Sequence, residues 1–239
     1  MAIGENSQTL EHIGVTDDVI SKTVQSAKSS QRSERRIRGV KRGVRSELSV
    51  SQGDWTRRGY ANHKELLSTE GLRDEIPRIK CSEVTPEEFI ERFEAPCQPC
   101  VITGLTEEWA AHHKWTWDKL LAKFPEHKFK VGSDDDGYAV RIKFKYYYEY
   151  LHSLEHGKDD SPLYIFDGTF ADRAGSKALS EDYKAPEYFS EDLFKFVGEK
   201  RRPPYRWIVW GPARSGSSLH IDPLATSAWN ALLMYAAKP

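Results

Sequence analysis

Two residues of types that bind transition metals lie two positions apart near the end of the sequence. They are His220 and Asp222, in the stretch SGSSLHIDPLATSAWN (215–230). In a β-strand, residues i and i+2 point to the same face, so the imidazole and the carboxylate would share one metal ion. A His-x-Asp pair with one distant His is the facial triad of non-haem Fe(II) oxygenases. Taken alone, the tripeptide fits an ordinary turn entry before Pro223 equally well.

The sequence around this tripeptide is more specific. Five long stretches of the chain follow, in order, the pattern of one jumonji-C family: DWTRRGY, EEFIERFEAP, KFKVGSDDDGYAVRIKFKYYYEY, DDSPLYIFDGTF and EKRRPPYRWIVWGPARSGSSLHIDPLATSAWNAL. Over residues 34–232 the chain therefore resembles the arginine demethylase and lysyl 5-hydroxylase family once called the phosphatidylserine receptor. The resemblance implies a nuclear cupin (jelly-roll) oxygenase that uses Fe(II) and 2-oxoglutarate. The implied protein substrates are splicing-related proteins, for lysyl hydroxylation, and histones, for arginine demethylation.

The resemblance also assigns roles to individual residues. His220 and Asp222 match the first two iron ligands of the family. Ser217 replaces a Thr whose hydroxyl contacts 2-oxoglutarate, a change that keeps the hydroxyl. Asn230 and Tyr164 match residues beside the co-substrate, although ordinary packing with a satisfied polar tip is an alternative for both.

The chain departs from the family pattern after Leu233. The second His ligand of the family lies far downstream, whereas no His follows His220 in this sequence. The Lys that pairs with the C5-carboxylate of 2-oxoglutarate corresponds to Ala237. We therefore expect a truncated chain that lacks the distal ligand and the C-terminal half, is inactive by itself and exposes unpaired strand edges. The alternative is a non-catalytic product that binds RNA or splicing partners through its basic N-terminal segment.

Hydrophobic periodicity and turn residues predict a mixed α+β fold in three parts. Residues 1–50 are predicted to be a disordered, basic segment, 51–200 the N-terminal α+β part of the jumonji module, and 201–239 the first strands of an incomplete double-stranded β-helix. Helices are predicted over 85–94, 116–124, 146–157 and 183–196, a hairpin over 128–145, and strands over 100–105, 162–168 and 206–211.

The charge is balanced overall but unevenly distributed. With 35 basic and 36 acidic residues the net charge is −1, so bulk charge implies no polyanionic partner. A basic cluster nevertheless occupies 31–48 and is typical of an import signal, an RNA contact or a solvated helix face. Three cysteines favour a reducing compartment. The sequence contains no apolar run of 18 residues, the length that predicts a membrane span.

Overall fold

The computed structural model describes residues 17–153 and 157–234. The α-helices in these ranges are α1 (Asp17–Val44), α2 (Pro86–Phe89), α3 (Ala111–Lys114), α4 (Trp117–Lys123) and α5 (Phe144–His152). The strands are β1 (Arg78–Lys80), β2 (Val101–Thr103), β3 (Lys128–Ser133), β4 (Ala139–Lys143), β5 (Ile165–Asp167) and β6 (Ile208–Trp210). None of the helices in the described ranges combines the length and the apolar character that a bilayer crossing requires.

The strands form three separate two-stranded sheets, so the mixed α+β class is confirmed. β1 pairs with β2 in parallel, whereas β3–β4 and β5–β6 are antiparallel. The hairpin predicted over 128–145 is present, with its turn at Asp134–Gly137 and an irregularity between Lys130 and Gly132. The described residues do not form a jelly-roll, since no sheet among them has more than two strands.

The helix predicted at 85–94 begins as expected and ends as a different kind of helix. The Thr85 hydroxyl accepts a hydrogen bond from the Glu88 N–H, and the Glu88 carboxylate accepts one from the Thr85 N–H. This reciprocal capping, with Pro86 at the first helical position, fixes the helix start. Residues Ile90–Glu94 then continue as one π-helical turn.

The N-terminal segment differs from the predicted disorder wherever it is described. Residues 17–44 form one helix, while residues 1–16 lie outside the described residues. Ser33, Ile37 and Lys41 recur every four residues and are buried, because the C-terminal half of α1 packs against α5 and the β3–β4 hairpin. A helix that is docked along one face extends readily from the docked turns, since only nucleation is costly.

The helix predicted over Tyr183–Phe196 is also wrong. The chain makes two short 3-10 turns instead, at Glu187–Phe189 and Leu193–Val197. Pro186 immediately precedes the first turn, and proline disfavours helical backbone in the residue before it. The Tyr188 hydroxyl donates hydrogen bonds to the Cys81 and Val84 carbonyls, which ties this turn to the second, smaller cluster around Phe89.

The main core is aromatic and centres on Trp210 of β6. The Trp210 ring lies 5.3 Å from Phe129, 5.8 Å from Phe144 and 6.0 Å from Trp115, centroid to centroid, each in an edge-to-face arrangement. The buried Tyr147 hydroxyl donates to the Trp210 carbonyl at 3.0 Å. One cluster of buried side chains extends from Ile37 to Trp210, so a single core joins all three predicted parts of the chain.

A buried ion pair connects α1 to this core. The Lys41 ammonium lies 2.8 Å and 2.7 Å from the two carboxylate oxygens of Asp159, and both side chains are at most 3% exposed. The Tyr150 hydroxyl donates to the same carboxylate at 2.7 Å and accepts from the Leu163 N–H at 3.1 Å. The Lys41 ammonium also lies over the Trp55 ring, 4.9 Å from its centroid. The sequence pattern assigns Lys41 to the basic cluster at 31–48, whereas in the structure it is an interior residue.

A second polar group anchors β5 beside β3. The buried Asp167 carboxylate accepts hydrogen bonds from the Lys130 and Thr169 N–H groups and pairs with Arg173 at 2.5 Å. Burial opposes ionisation of Asp167, but these donors and the Arg173 charge outweigh it and lower its pKa. His127, in contact with the ring of Phe129, has its pKa lowered by burial and by the Arg173 charge, against the opposing Asp167 charge.

We predict that Lys41→Met destabilises the fold by about 3–5 kcal/mol, because it leaves the Asp159 carboxylate buried without its cation. Urea unfolding followed by tryptophan fluorescence measures this change. The double variant Lys41→Met with Asp159→Asn should recover part of the loss. Arg42→Met, at the exposed neighbouring position, should change stability by less than about 0.5 kcal/mol. Equal effects of Lys41→Met and Arg42→Met would contradict the interior role of Lys41.

We predict that stability decreases in two steps as the pH is lowered. Below about 6.5 the unfolded His127 takes up a proton that the folded chain resists, because the folded pKa is lowered. Below 3.8 the contribution of the ionised Asp167 is lost, as the pH falls through its lowered folded pKa. Urea midpoints between pH 3 and 8, a range bracketing the ordinary values, measure both steps. His127→Gln should flatten the first step in the urea midpoint, and the control His152→Gln should leave that step unchanged. A first step that persists in His127→Gln would assign it to another group.

Candidate metal and co-substrate site

The segment that carries the candidate metal ligands is irregular rather than extended. Residues 211–234 contain only one 3-10 turn, at Pro223–Ala225, with Leu224 at a φ of 63°. The expectation that His220 and Asp222 share one face of a β-strand is therefore wrong for this structure. The physical reason is that no neighbouring strand pairs with this segment among the described residues, so Leu219 and Ile221 are 104% and 86% exposed.

His220 and Asp222 nevertheless lie together. The His220 Nδ1 lies 2.6 Å from the Ser218 carbonyl, which can only accept, so Nδ1 carries a proton. The Nε2 atom lies 3.3 Å from Asp222 Oδ1. The hydrogen bond to Ser218 is the main cause that raises the pKa of His220, and the Asp222 charge adds to it.

The chemistry of this pair suits two adjacent positions of a divalent cation. With Nδ1 protonated, the neutral ring presents its Nε2 lone pair toward a carboxylate oxygen, so two electron donors face each other. A proton or a metal cation stabilises that arrangement. Metal–ligand bonds of about 2.0–2.2 Å place two neighbouring donors roughly 3 Å apart, close to the observed separation.

The donor set in the described residues is incomplete. No group of three or more His, Cys, Asp or Glu side chains there is arranged to hold a metal ion. The pair therefore fits part of an Fe(II) site, and the third protein ligand of a facial triad has no counterpart within residues 17–153 and 157–234.

The three residues expected beside the co-substrate are not joined to the pair. Ser217 and Asn230 are exposed, and Tyr164 is half-buried at the start of β5. Within the described residues no hydrogen bond connects any of the three to His220 or Asp222. Next to Asn230, the Trp229 ring stacks on Phe189 at 5.6 Å with 5° between the planes, which anchors this end of the segment to the fold.

Tyr164 belongs to an outward-facing aromatic row on the β5–β6 ribbon. Its ring lies 6.0 Å from Phe166, which stacks on Trp207 at 4.5 Å with an interplanar angle of 15°. Trp207 and Val209 are 44% and 54% exposed, whereas the alternate residues of β6 are buried. Sequence analysis missed this row, although the period-two pattern of RWIVW indicated it: every second large residue must face away from the core.

Glycines allow the chain to pass close to this row. A Cβ atom on Gly168 would lie 2.9 Å from the Trp207 ring, and one on Gly211 would lie 2.7 Å from the Tyr164 Cβ and closer still to Ser215. Only glycine fits at these two positions without a clash. The turns after β5 and β6 can therefore lie directly against the aromatic row.

Comparison with known proteins identifies relatives along most of the chain. It is 48% identical over 206 residues to the bifunctional arginine demethylase and lysyl-hydroxylase of Caenorhabditis briggsae, which covers 86% of this chain and 50% of that protein. It is 40% identical over 166 residues to an arginine-specific demethylase of Arabidopsis thaliana, covering 70% of this chain and 30% of the relative. A 2-oxoglutarate and iron-dependent oxygenase of Gallus gallus is 28% identical over 191 residues, covering 72% of this chain and 43% of the relative. No family model matches the sequence.

These relatives are named for demethylation, hydroxylation and 2-oxoglutarate- and iron-dependent oxygenation. The chain is similar to the bifunctional arginine demethylase and lysyl-hydroxylase proteins over 86% of its length, in agreement with the resemblance of its motifs. The chain spans about half the length of these curated relatives.

Proposed function

We propose that this chain carries the first two iron ligands and part of the co-substrate pocket of an Fe(II)/2-oxoglutarate-dependent oxygenase that acts on proteins. The observation that carries this proposal is the apposition of His220 Nε2 and Asp222 Oδ1, two donors held 3.3 Å apart with the other ring nitrogen protonated. The names of the relatives support lysyl hydroxylation and arginine demethylation as the activities. Splicing-related proteins, for hydroxylation, and histones, for demethylation, are the substrates that the sequence resemblance implies.

The proposed roles follow from the chemistry of each residue. His220 and Asp222 hold the metal; Ser217 and Asn230 offer a hydroxyl and an amide to a carboxylate of 2-oxoglutarate. Tyr164, with Phe166 and Trp207, forms an outward-facing apolar wall that would exclude water once another layer covered it. Iron and 2-oxoglutarate, when bound, supply the oxidising chemistry.

The proposed architecture is an incomplete cupin. Residues 51–200 form the preceding α+β part of the jumonji module, and residues 201–239 supply the first strands of the double-stranded β-helix. The exposed aromatic row supports this, because a sheet face of this composition is normally covered by another layer. The same proposal places the protein in the nucleus, given the basic cluster at 31–48.

We predict that the purified chain binds a divalent ion weakly and forms no succinate from 2-oxoglutarate. Two protein donors hold the ion less firmly than the three of a facial triad. In addition, Ala237 stands at the position of the Lys that pairs with the C5-carboxylate of 2-oxoglutarate, so this carboxylate lacks its cationic partner. Broadening of the His220 ring signals by substoichiometric Mn²⁺ measures binding, and succinate formation with Fe(II) measures turnover.

The control for this prediction is a matched pair of variants. Asp222→Asn should abolish the Mn²⁺ effect on His220, and Asp172→Asn, at another exposed carboxylate, should leave it unchanged. Absence of any selective effect at His220 would contradict the assigned ligands. Succinate formation that Asp222→Ala abolishes would instead contradict the inactivity of the isolated chain and support the oxygenase chemistry.

A second candidate function is supported by the face of α1 that points to solvent. With Ser33, Ile37 and Lys41 turned inward, the remaining basic side chains form one exposed basic face: Arg32, Arg35, Arg36, Arg38 and Arg42. Only one ion pair partly neutralises it, between Arg38 and Glu34 at 3.8 Å, counting pairs in the described part of the chain. Such a surface suits the phosphate backbone of RNA or an acidic segment of a splicing partner.

We predict that this basic face binds single-stranded RNA with a strong dependence on salt. Replacing Arg35, Arg36 and Arg38 together with Gln should reduce the slope of log K against log salt by up to about 2, since each phosphate contact contributes about 0.7. Fluorescence anisotropy of a labelled oligonucleotide measures the slope. The matched control replaces three exposed lysines elsewhere, Lys177, Lys184 and Lys195. An unchanged slope in the arginine variant would show that this basic face does not bind the RNA.

A further inference from the structure

A surface cleft unrelated to the His220 segment lies where the end of α1 meets the turns that follow it. Its volume is about 200 Å³, and its lining includes Trp55, Tyr60 and three arginines, Arg45, Arg57 and Arg58. All five of these side chains carry hydrogen-bond donors, and three of them are positively charged.

The two carboxylates in the cleft are already engaged by the backbone. Asp160 accepts the Arg58 and Tyr60 N–H groups, one on each oxygen, both at 2.8 Å. Asp54 accepts the Ser49 N–H at 2.9 Å on one oxygen and pairs with Arg57 at 3.2 Å on the other. These acids therefore fix the shape of the turns, and one of the three guanidinium groups is matched by an acid.

The other two guanidinium groups form no ion pair among the described residues, and the Asp160 charge acts on Arg58 only at longer range. Within the described part of the chain, neither Arg45 nor Arg58 has a carboxylate within ion-pair distance, and Arg58 instead donates to the Tyr60 hydroxyl at 3.0 Å. Three arginines against two aspartates leave the cleft lining with a net charge of +1. Planar guanidinium groups match the geometry of phosphate oxygens and donate two hydrogen bonds at once.

The indole that lines the cleft has an N–H group without a partner. Trp55 is 4% exposed, and its Nε1–H is shielded from solvent and has no hydrogen-bond partner in the described residues. A buried N–H left unpaired costs free energy, so native structures usually satisfy it. Because the Trp55 side chain lines the cleft, its N–H signal reports on what binds there.

We propose that this cleft binds a phosphate group, held by Arg45 and Arg58 with the Tyr60 hydroxyl as a neutral donor, beside the Trp55 ring. The ligand is a phosphate monoester or inorganic phosphate, which share the same oxyanion. The site lies on residues that are independent of the His220–Asp222 pair, so it does not depend on the proposed oxygenase function.

The test is a titration of the full chain with inorganic phosphate, at constant ionic strength, observed through the indole N–H signals in ¹H–¹⁵N spectra. Trp55→Phe identifies the Trp55 signal by its disappearance. We expect this signal to shift saturably at millimolar phosphate while the other indole signals stay in place. Arg45→Gln and Arg58→Gln should each weaken binding roughly tenfold, the effect of losing one charge-assisted hydrogen bond.

Arg141→Gln is the matched control, because it removes the same charge from an exposed position of β4 outside the cleft. It should leave the affinity unchanged. A parallel titration with N-acetyl-phosphoserine amide separates the two sources: tighter binding than inorganic phosphate assigns a phosphorylated protein segment, and equal binding assigns free phosphate. A Trp55 signal that does not move with either probe, or that moves equally in the Arg45→Gln, Arg58→Gln and Arg141→Gln variants, would overturn the proposal.

Discussion

The structure depends on the burial of Trp210. A two-stranded ribbon has too little surface to be stable by itself, so β5–β6 persists only because one of its faces joins the core. Trp210 provides that attachment with its ring, against Phe129 and Phe144, and with its carbonyl, which accepts from Tyr147. Because side chains alternate along a strand, fixing this face inward forces Tyr164 and its aromatic neighbours outward.

The N-terminal helix is held by apolar packing through Ile37 and by one buried ion pair. Moving an ammonium and a carboxylate out of water is costly, and the Lys41–Asp159 pair is stable because its remaining hydrogen-bonding capacity is met by Tyr150. Tyr150 also accepts the Leu163 N–H, immediately before Tyr164. The position of the outward aromatic row therefore depends on a residue of α1 more than a hundred positions earlier.

Local signals predicted the parts of the fold that local interactions decide. The β3–β4 hairpin and the capped helix start at Thr85 are confirmed, because turn residues and caps act over a few positions. The helix over 183–196 failed for a local reason, since Pro186 interrupts it, whereas two other failures depend on distant partners. Lys41 has the sequence context of a solvated cation, and only Asp159 makes it an interior residue. Likewise His220 and Asp222 fit a strand pattern, but a strand needs a neighbour, and none is present among the described residues.

Under the proposed function, the aromatic row and the His220–Asp222 pair each need a further part of the protein to be complete. Among the residues that the structure describes, the row is apolar surface without a covering layer, and the pair is a donor set without its third member. They follow each other along the chain, separated by the turn at Gly211 that passes close to Tyr164. One additional layer of protein that supplied an apolar face and a histidine would satisfy both. Site completion and fold completion would then be a single event, so metal affinity and resistance to unfolding would rise together.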